Sequence, residues 1–300
     1  MKVTGKDLKF LFDGKEYPVQ SADFSVEYDT SNVTDSSTSG NGKEFMVGRA
    51  DRSINIETFL FAVNGAQLIS GDELEKDKIY RVDQQGENLA YDVGFIFTAN
   101  GNEVLGDGDK CTPLGAKLNT KDMDLSLNNV AVGVTDIEFS EKYDEIFTTD
   151  TNTPGDAKEG SVSRAEADLK ISAFIQDSTA DLLAGTPTDI PFSVSFATTQ
   201  LIFGTAKLTK KNNTGSVENA IKGDYELKCK GQPTVQNIGL SFGVEKPFKI
   251  IYRKGGTTDK AITGTAIINQ RGFKGNIDKP EINASYVLMV TGTPTETVYA

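Results

Sequence analysis

Apolar and polar residues alternate through most of this chain, the period of strands that bury one face. Leu8, Phe10 and Phe12 share a face, and Asp13-Gly14 behind them reads as a hairpin turn. Phe24, Val26 and Tyr28 alternate next. A polar stretch rich in Ser, Thr, Asn and Gly then runs from Thr30 to Lys43, before a strand around Ser53 to Leu60 with Ile54, Ile56 and Thr58 on one face. Short helical candidates follow at Gly65–Ile69 and again at Thr179–Leu183, with Gly71 and Gly185 where a C-cap glycine belongs.

That succession is written twice, about 115 residues apart, and repetition of this kind governs architecture. Lys6-Asp7, Phe10, Phe12, Val19, Phe24 and Tyr28-Asp29 return as Lys121-Asp122, Leu125, Leu127, Val134, Phe139 and Tyr143-Asp144. Arg49-Ala50, Ile56 and Phe59 return as Arg164-Ala165, Ile171 and Phe174. A second repeat has copies about 60 residues apart. Pro191-Phe192, Gly204-Thr205-Ala206, Tyr225, Leu227, Gly231 and Pro233 recur as Pro247-Phe248, Gly264-Thr265-Ala266, Tyr286, Leu288, Gly292 and Pro294.

The chain therefore reads opening, spacer, opening, closing, closing. The expected fold is mainly β: two sandwich- or barrel-like modules, each with a short helix, plus a small β insertion at 72–117. One order makes 118–236 a contiguous module and completes 1–71 with 237–300. Loop-closure entropy grows only logarithmically with length, so such a split is tolerable. Plain tandem order, with the spacer closing the first module, is the alternative.

The polar stretches invite two readings, a floppy loop or the tip of a β-arm that orders on a partner. The second copy keeps the length and chemistry in Thr148 to Gly160. Candidate inter-subunit arm residues are Asp29, Thr34, Asp35, Gly40, Gly42 and Gly48, with Thr149, Asp150, Gly155 and Gly160 in the second copy.

Composition narrows the function. A net charge of −12 argues against gripping nucleic acid through its phosphates. There is no histidine, so Ser-His-Asp and Cys-His chemistry and ordinary zinc sites are excluded. The two cysteines, Cys111 and Cys229, read as ordinary thiols. No apolar run reaches the length of a membrane span, and synthesis in a host cytoplasm with no membrane partner is expected. Asp150 to Gly155 imitates the front of an EF-hand, but Pro154 replaces a ligand and Ser161 stands where a bidentate Glu is needed. Gly106-Asp107-Gly108-Asp109 reads as a tight turn, and Gly40-Asn41-Gly42 is no dinucleotide fingerprint. Lys207, Lys210, Lys211, Lys228 and Lys230 form a basic cluster, either a solvated strand face or a contact for an acidic neighbour. No metal, cofactor or catalytic residue is assigned, and an enzyme is not expected.

The ordered set resembles the tail tube proteins of long-tailed bacteriophages. The likeness lies in the strand pair, the arm from Asp29 to Gly48, the strand at Ser53 to Leu60, and the closings Ile262–Ile268 and Ala284–Pro294. The resemblance implies a virion protein whose sheet joins neighbours into rings that stack into a conduit for DNA ejection. Those rings would be hexameric, or trimeric and pseudo-hexameric. It also implies tape measure, tail terminator and tail tip proteins as partners, and DNA that passes without sticking. A carbohydrate-binding or adhesin-like β-sandwich of a tail tip or cell surface is the alternative. An acidic-residue hydrolase is a third reading.

Overall fold

A computed structural model describes residues 8–13, 15–17, 19–33, 45–60, 73–74, 78–84, 97–98, 103–104, 109–116, 118–147, 160–174, 189–196, 200–216, 219–236, 238–254 and 258–299. The chain is mainly β, as its alternation dictates. The strands are β1 (Leu8–Phe12), β2 (Lys15–Tyr17), β3 (Ser21–Asn32) and β4 (Phe45–Phe59), then five short ones, β5 (Glu73–Leu74), β6 (Lys78–Gln84), β7 (Phe97–Thr98), β8 (Glu103–Val104) and β9 (Asp109–Ala116). A 3₁₀ turn at Thr120–Asp122 leads into β10 (Met123–Leu127), β11 (Val130–Val132), β12 (Val134–Phe147) and β13 (Gly160–Phe174). There follow β14 (Ile190–Phe196), β15 (Gln200–Ser216), β16 (Asn219–Cys229), β17 (Thr234–Gln236), β18 (Glu245–Lys254), β19 (Thr258–Asn276) and β20 (Asn283–Tyr299). Both helical candidates lie outside the described residues.

Pairing is antiparallel throughout, and one strand order occurs twice. The first set runs β2-β1-β18-β19-β20-β4-β3 and the second β11-β10-β14-β15-β16-β13-β12. In the first, β1 pairs with β18 and β4 with β20, so both N-terminal hairpins are held by the last strands of the chain. The sets join where β12 pairs with β19, giving one continuous sheet. Within the spacer, β7-β6-β9 and β5-β8 form two small separate sheets.

The large sheet curls onto itself. Phe196 on β14 and Phe273 on β19 are five strand steps apart, about 24 Å along a flat sheet. Their rings nevertheless meet edge to face at 5.9 Å, with Phe139 stacked on Phe273 at 5.3 Å. The inward residues form one apolar cluster, including Phe10, Phe12, Ile54 and Ile56 from one set and Leu125, Leu127, Leu169 and Ile171 from the other. Val26 and Tyr28 depart from the alternation reading. Both are exposed, because β3 is an edge strand that outruns the body it would cover.

The closing repeat is a packing unit. Phe192 faces Gly204 in register, as Phe248 faces Gly264. A Cβ on Gly204 would lie 3.2 Å from the Phe192 ring and 3.4 Å from Pro233; on Gly264 it would lie 3.0 Å from Phe248 and 3.3 Å from Pro294. The Pro-Phe, Gly-Thr-Ala and Gly-x-Pro strings are thus three sides of one slot, in which a side chain on the glycine would crowd the ring and the proline. Gly264→Val is expected to destabilise by about 1–3 kcal/mol through overpacking, read as a lower urea midpoint at unchanged slope.

Candidate assembly interface

The two arms share a local design. In the first, Gly48 and Arg49 together oppose Asp29; in the second, Ser163 and Arg164 oppose Asp144. Each is a β-bulge, which bends the ribbon and strengthens its twist. Gly48 allows a close approach at the first, since a Cβ there would lie 3.1 Å from Asp29 Cβ and 3.3 Å from its carbonyl oxygen. Ser163 Oγ at the second donates to the Asp144 carbonyl at 3.4 Å. Gly160 opens β13 where a Cβ would meet Met289 Sδ at 3.0 Å. Asp29, Gly48 and Gly160 therefore sit at bends and close approaches that aim the arms. Thr34, Asp35, Gly40, Gly42, Thr149, Asp150 and Gly155 lie outside the described residues, as do Gly106–Gly108 and Asn41.

Beyond the bulges the arms carry apolar side chains into solvent. Phe45, Met46 and Val47 are 58, 62 and 63% exposed, and Val33, just past the end of β3, is exposed too; the second arm exposes Ile146 and Phe147. A two-stranded ribbon uncovered on both faces is marginal in water, and contiguous exposed apolar surface marks a contact site. Sequence reasoning passed over these residues. Their signal is three successive apolar positions at the foot of a polar run, which a one-sided strand does not need.

The joint between the sets shows how two such sheets meet. Over Asp136–Lys142 of β12 and Gln270–Asn276 of β19 the register is unbroken. Glu141, fully buried, accepts a hydrogen bond at Oε2 from Arg271 Nε at 2.8 Å and lies 2.7 Å from Nη2 in an ion pair, and the Arg271 guanidinium lies 4.5 Å over the Phe242 ring. Asn269, the extra residue of a β19 bulge, reaches the Glu145 carboxylate, and Asn276 reaches Asp136. Glu138 forms a ladder between Lys170 at 3.2 Å and Lys274 at 3.8 Å.

The basic cluster is engaged within the chain. Asp189 holds Lys230 at 2.6 Å and Lys207 at 3.6 Å, Glu226 holds Lys210 at 2.8 Å, and Glu166 holds Lys228 at 3.2 Å. The hydrogen bond from Lys230 depresses the Asp189 pKa. Such exposed pairs contribute little stability each but order the charges on the strand face. An open trough over these faces is lined by Asp136, Glu138, Lys170, Asp224, Glu226 and Lys274. No group of three or more metal-ligating side chains occurs among the described residues. No helix among them is long and apolar enough to cross a membrane.

Burial, with Asp168 and Glu141 nearby, pushes the Cys229 thiol up to about 12. At pH 8 that leaves a thiolate fraction roughly a thousandfold below that of an ordinary cysteine. In a Cys111→Ser background, maleimide should therefore label native Cys229 about three orders of magnitude more slowly than the urea-unfolded chain.

No family model matches the sequence, and no curated protein does. Among solved structures, a chain of the virion of a native gene transfer agent particle is similar at a TM-score of 0.33 and 15% identity, over 39% of this chain and 98% of that one. A chain from the tail of an empty gene transfer agent particle, refined helically with C6 symmetry, gives 0.32 and 15% over the same shares.

Proposed function

We propose that this chain is a structural subunit of a virion tail, whose copies join into stacked rings that form a tube for DNA passage. The carrying observation is a pair of bulged β-arms that expose apolar side chains beyond their bulges, on a sheet that among the described residues still has open edges. Unpaired strand edges invite further strands, and an assembling protein turns that hazard into its mechanism. The arms of one ring would bury Phe45, Met46 and Val47 against the next. An excess of acidic residues suits a lumen that repels DNA phosphates, where a basic wall would hold them. On this reading both strand sets are tube-like modules, the first split around the spacer and the second, and the protein does no chemistry of its own. Its partners are copies of itself and the proteins that set tail length and close the two tail ends.

Negative-stain microscopy of the purified full chain across a concentration series tests this reading. Rings or tubes are the expected result. A chain that stays monomeric at every concentration and retains on immobilised glycans would instead be an adhesin-like module.

A further inference from the structure

The joint inside the chain specifies the joint between chains. On β19, one edge is occupied by β18 over Thr258–Ile267 and then by β12 over Gln270–Asn276. On its counterpart β15, the same edge carries β14 over Gln200–Ala206, and no strand occupies the rest of it among the described residues. The opposite edge of β15 is taken by β16 as far as Ser216. The bulges correspond too: the extra residue is Asn269 on β19 and Thr209 on β15. The counterpart of β12 is β3, which among the described residues pairs only with β4 and leaves its outer edge open. Each chain thus carries one filled socket and one empty one, one seated edge and one free edge.

We propose that a second copy of this chain fills the empty socket. The β3 edge of one copy adds antiparallel to β15 of the next, from Ser21 opposite Ser216 to Glu27 opposite Lys210. This rests on the tail-subunit reading and adds which edge, which register and how many strand sets per chain enter the wall. Transferring the β12/β19 register by the two repeat spacings gives these pairs without adjustment. The chemistry agrees. Glu27 stands opposite Asp51 across β3 and β4, a like-charge pair that disfavours the isolated hairpin. Lys210 of the second copy would sit on Glu27's other side, extending its own pair with Glu226 into a ladder like that of Lys170, Glu138 and Lys274. Val26, 40% exposed, takes the place of Glu141, and Lys211 that of Arg271, so the lysine's aliphatic stem covers the valine. The buried Glu–Arg pair and the phenylalanine stack are thus kept for the joint that must form during folding. The milder pairs serve the joint that forms afterwards.

The contact joins unlike surfaces, so it propagates head to tail, and on the tail-subunit reading it closes into a ring. Because the inner and outer joints use equivalent strands, both sets of every chain line the wall, and a ring of n chains shows 2n repeats.

The test uses full-length Val26→Cys/Lys211→Cys in a Cys111→Ser background, assembled, oxidised and run on non-reducing gels. The expected result is a ladder of covalent oligomers ending in one closed species. Val26→Cys/Asn213→Cys, two places off register, should give none, since diagonal partners lie beyond disulfide reach. Class averages should show twice as many wall repeats as native mass spectrometry counts chains. Rings that form without the cross-link, or with one repeat per chain, overturn this joint and leave the tail reading standing. Absence of rings at any concentration removes both.

Discussion

Replacing Arg271 with alanine is expected to destabilise the chain by about 3–5 kcal/mol, the cost of leaving a buried carboxylate without its partner. The Glu141 side chain is fully buried and that of Arg271 only 13% exposed, so water cannot take over the lost hydrogen bond and ion pair. Glu141 Oε1 already has no hydrogen-bond partner among the described residues, which means the pair carries a desolvation cost even when intact. Two outcomes follow. Arg271→Ala should lower the thermal midpoint by roughly 6–15 °C. Glu141→Leu/Arg271→Met, which removes both charges and keeps the volume, should recover most of that loss or exceed the parent. Differential scanning calorimetry of the three proteins decides it. A double variant no better than Arg271→Ala would mean that the joint depends on the charges themselves.

Legibility in the sequence follows the range of each interaction. Phe10, Phe12, Ile54 and Ile56 are buried as their alternation demands, because facing is a local property of a strand. Repetition made the closing strings visible, yet their reason, a ring lying over a glycine with proline behind it, needs a register that only the fold supplies. Glu141 shares the phase of Phe139 and so sits on the inward face, a position where a charge calls for a partner. That partner is 130 residues away, beyond any local signal. Composition marks the polar arms as candidates, but the bulges opposite Asp29 and Asp144 are set by strand register, which composition does not carry. The exposed apolar residues Phe45, Met46 and Val47 escape that signal, because they break the alternation of a one-sided strand. The same break is their signature: a strand apolar on both faces has no solvent side within its own fold.

That exposure sets the size of the remaining effect. With about 60% of each side chain in water, burying Phe45, Met46 and Val47 at a ring-to-ring contact is worth about 1–2 kcal/mol apiece. Phe45→Ser/Met46→Ser/Val47→Ser should therefore raise the concentration needed for stacking roughly a hundred- to ten-thousand-fold. The folded subunit should hardly notice, because nothing in its own core covers these residues, and surface substitutions of this kind shift stability by about 0.5 kcal/mol or less. Sedimentation of assembled particles, with urea unfolding of the same preparation, separates the two effects. The joint between Ser21–Glu27 and Lys210–Ser216 is untouched by the triple variant, so single rings should persist while tubes vanish. Tubes of ordinary length at ordinary concentration would show that the apolar arm ends lie outside the stacking contact. Loss of rings along with tubes would place the arms in the lateral joint instead.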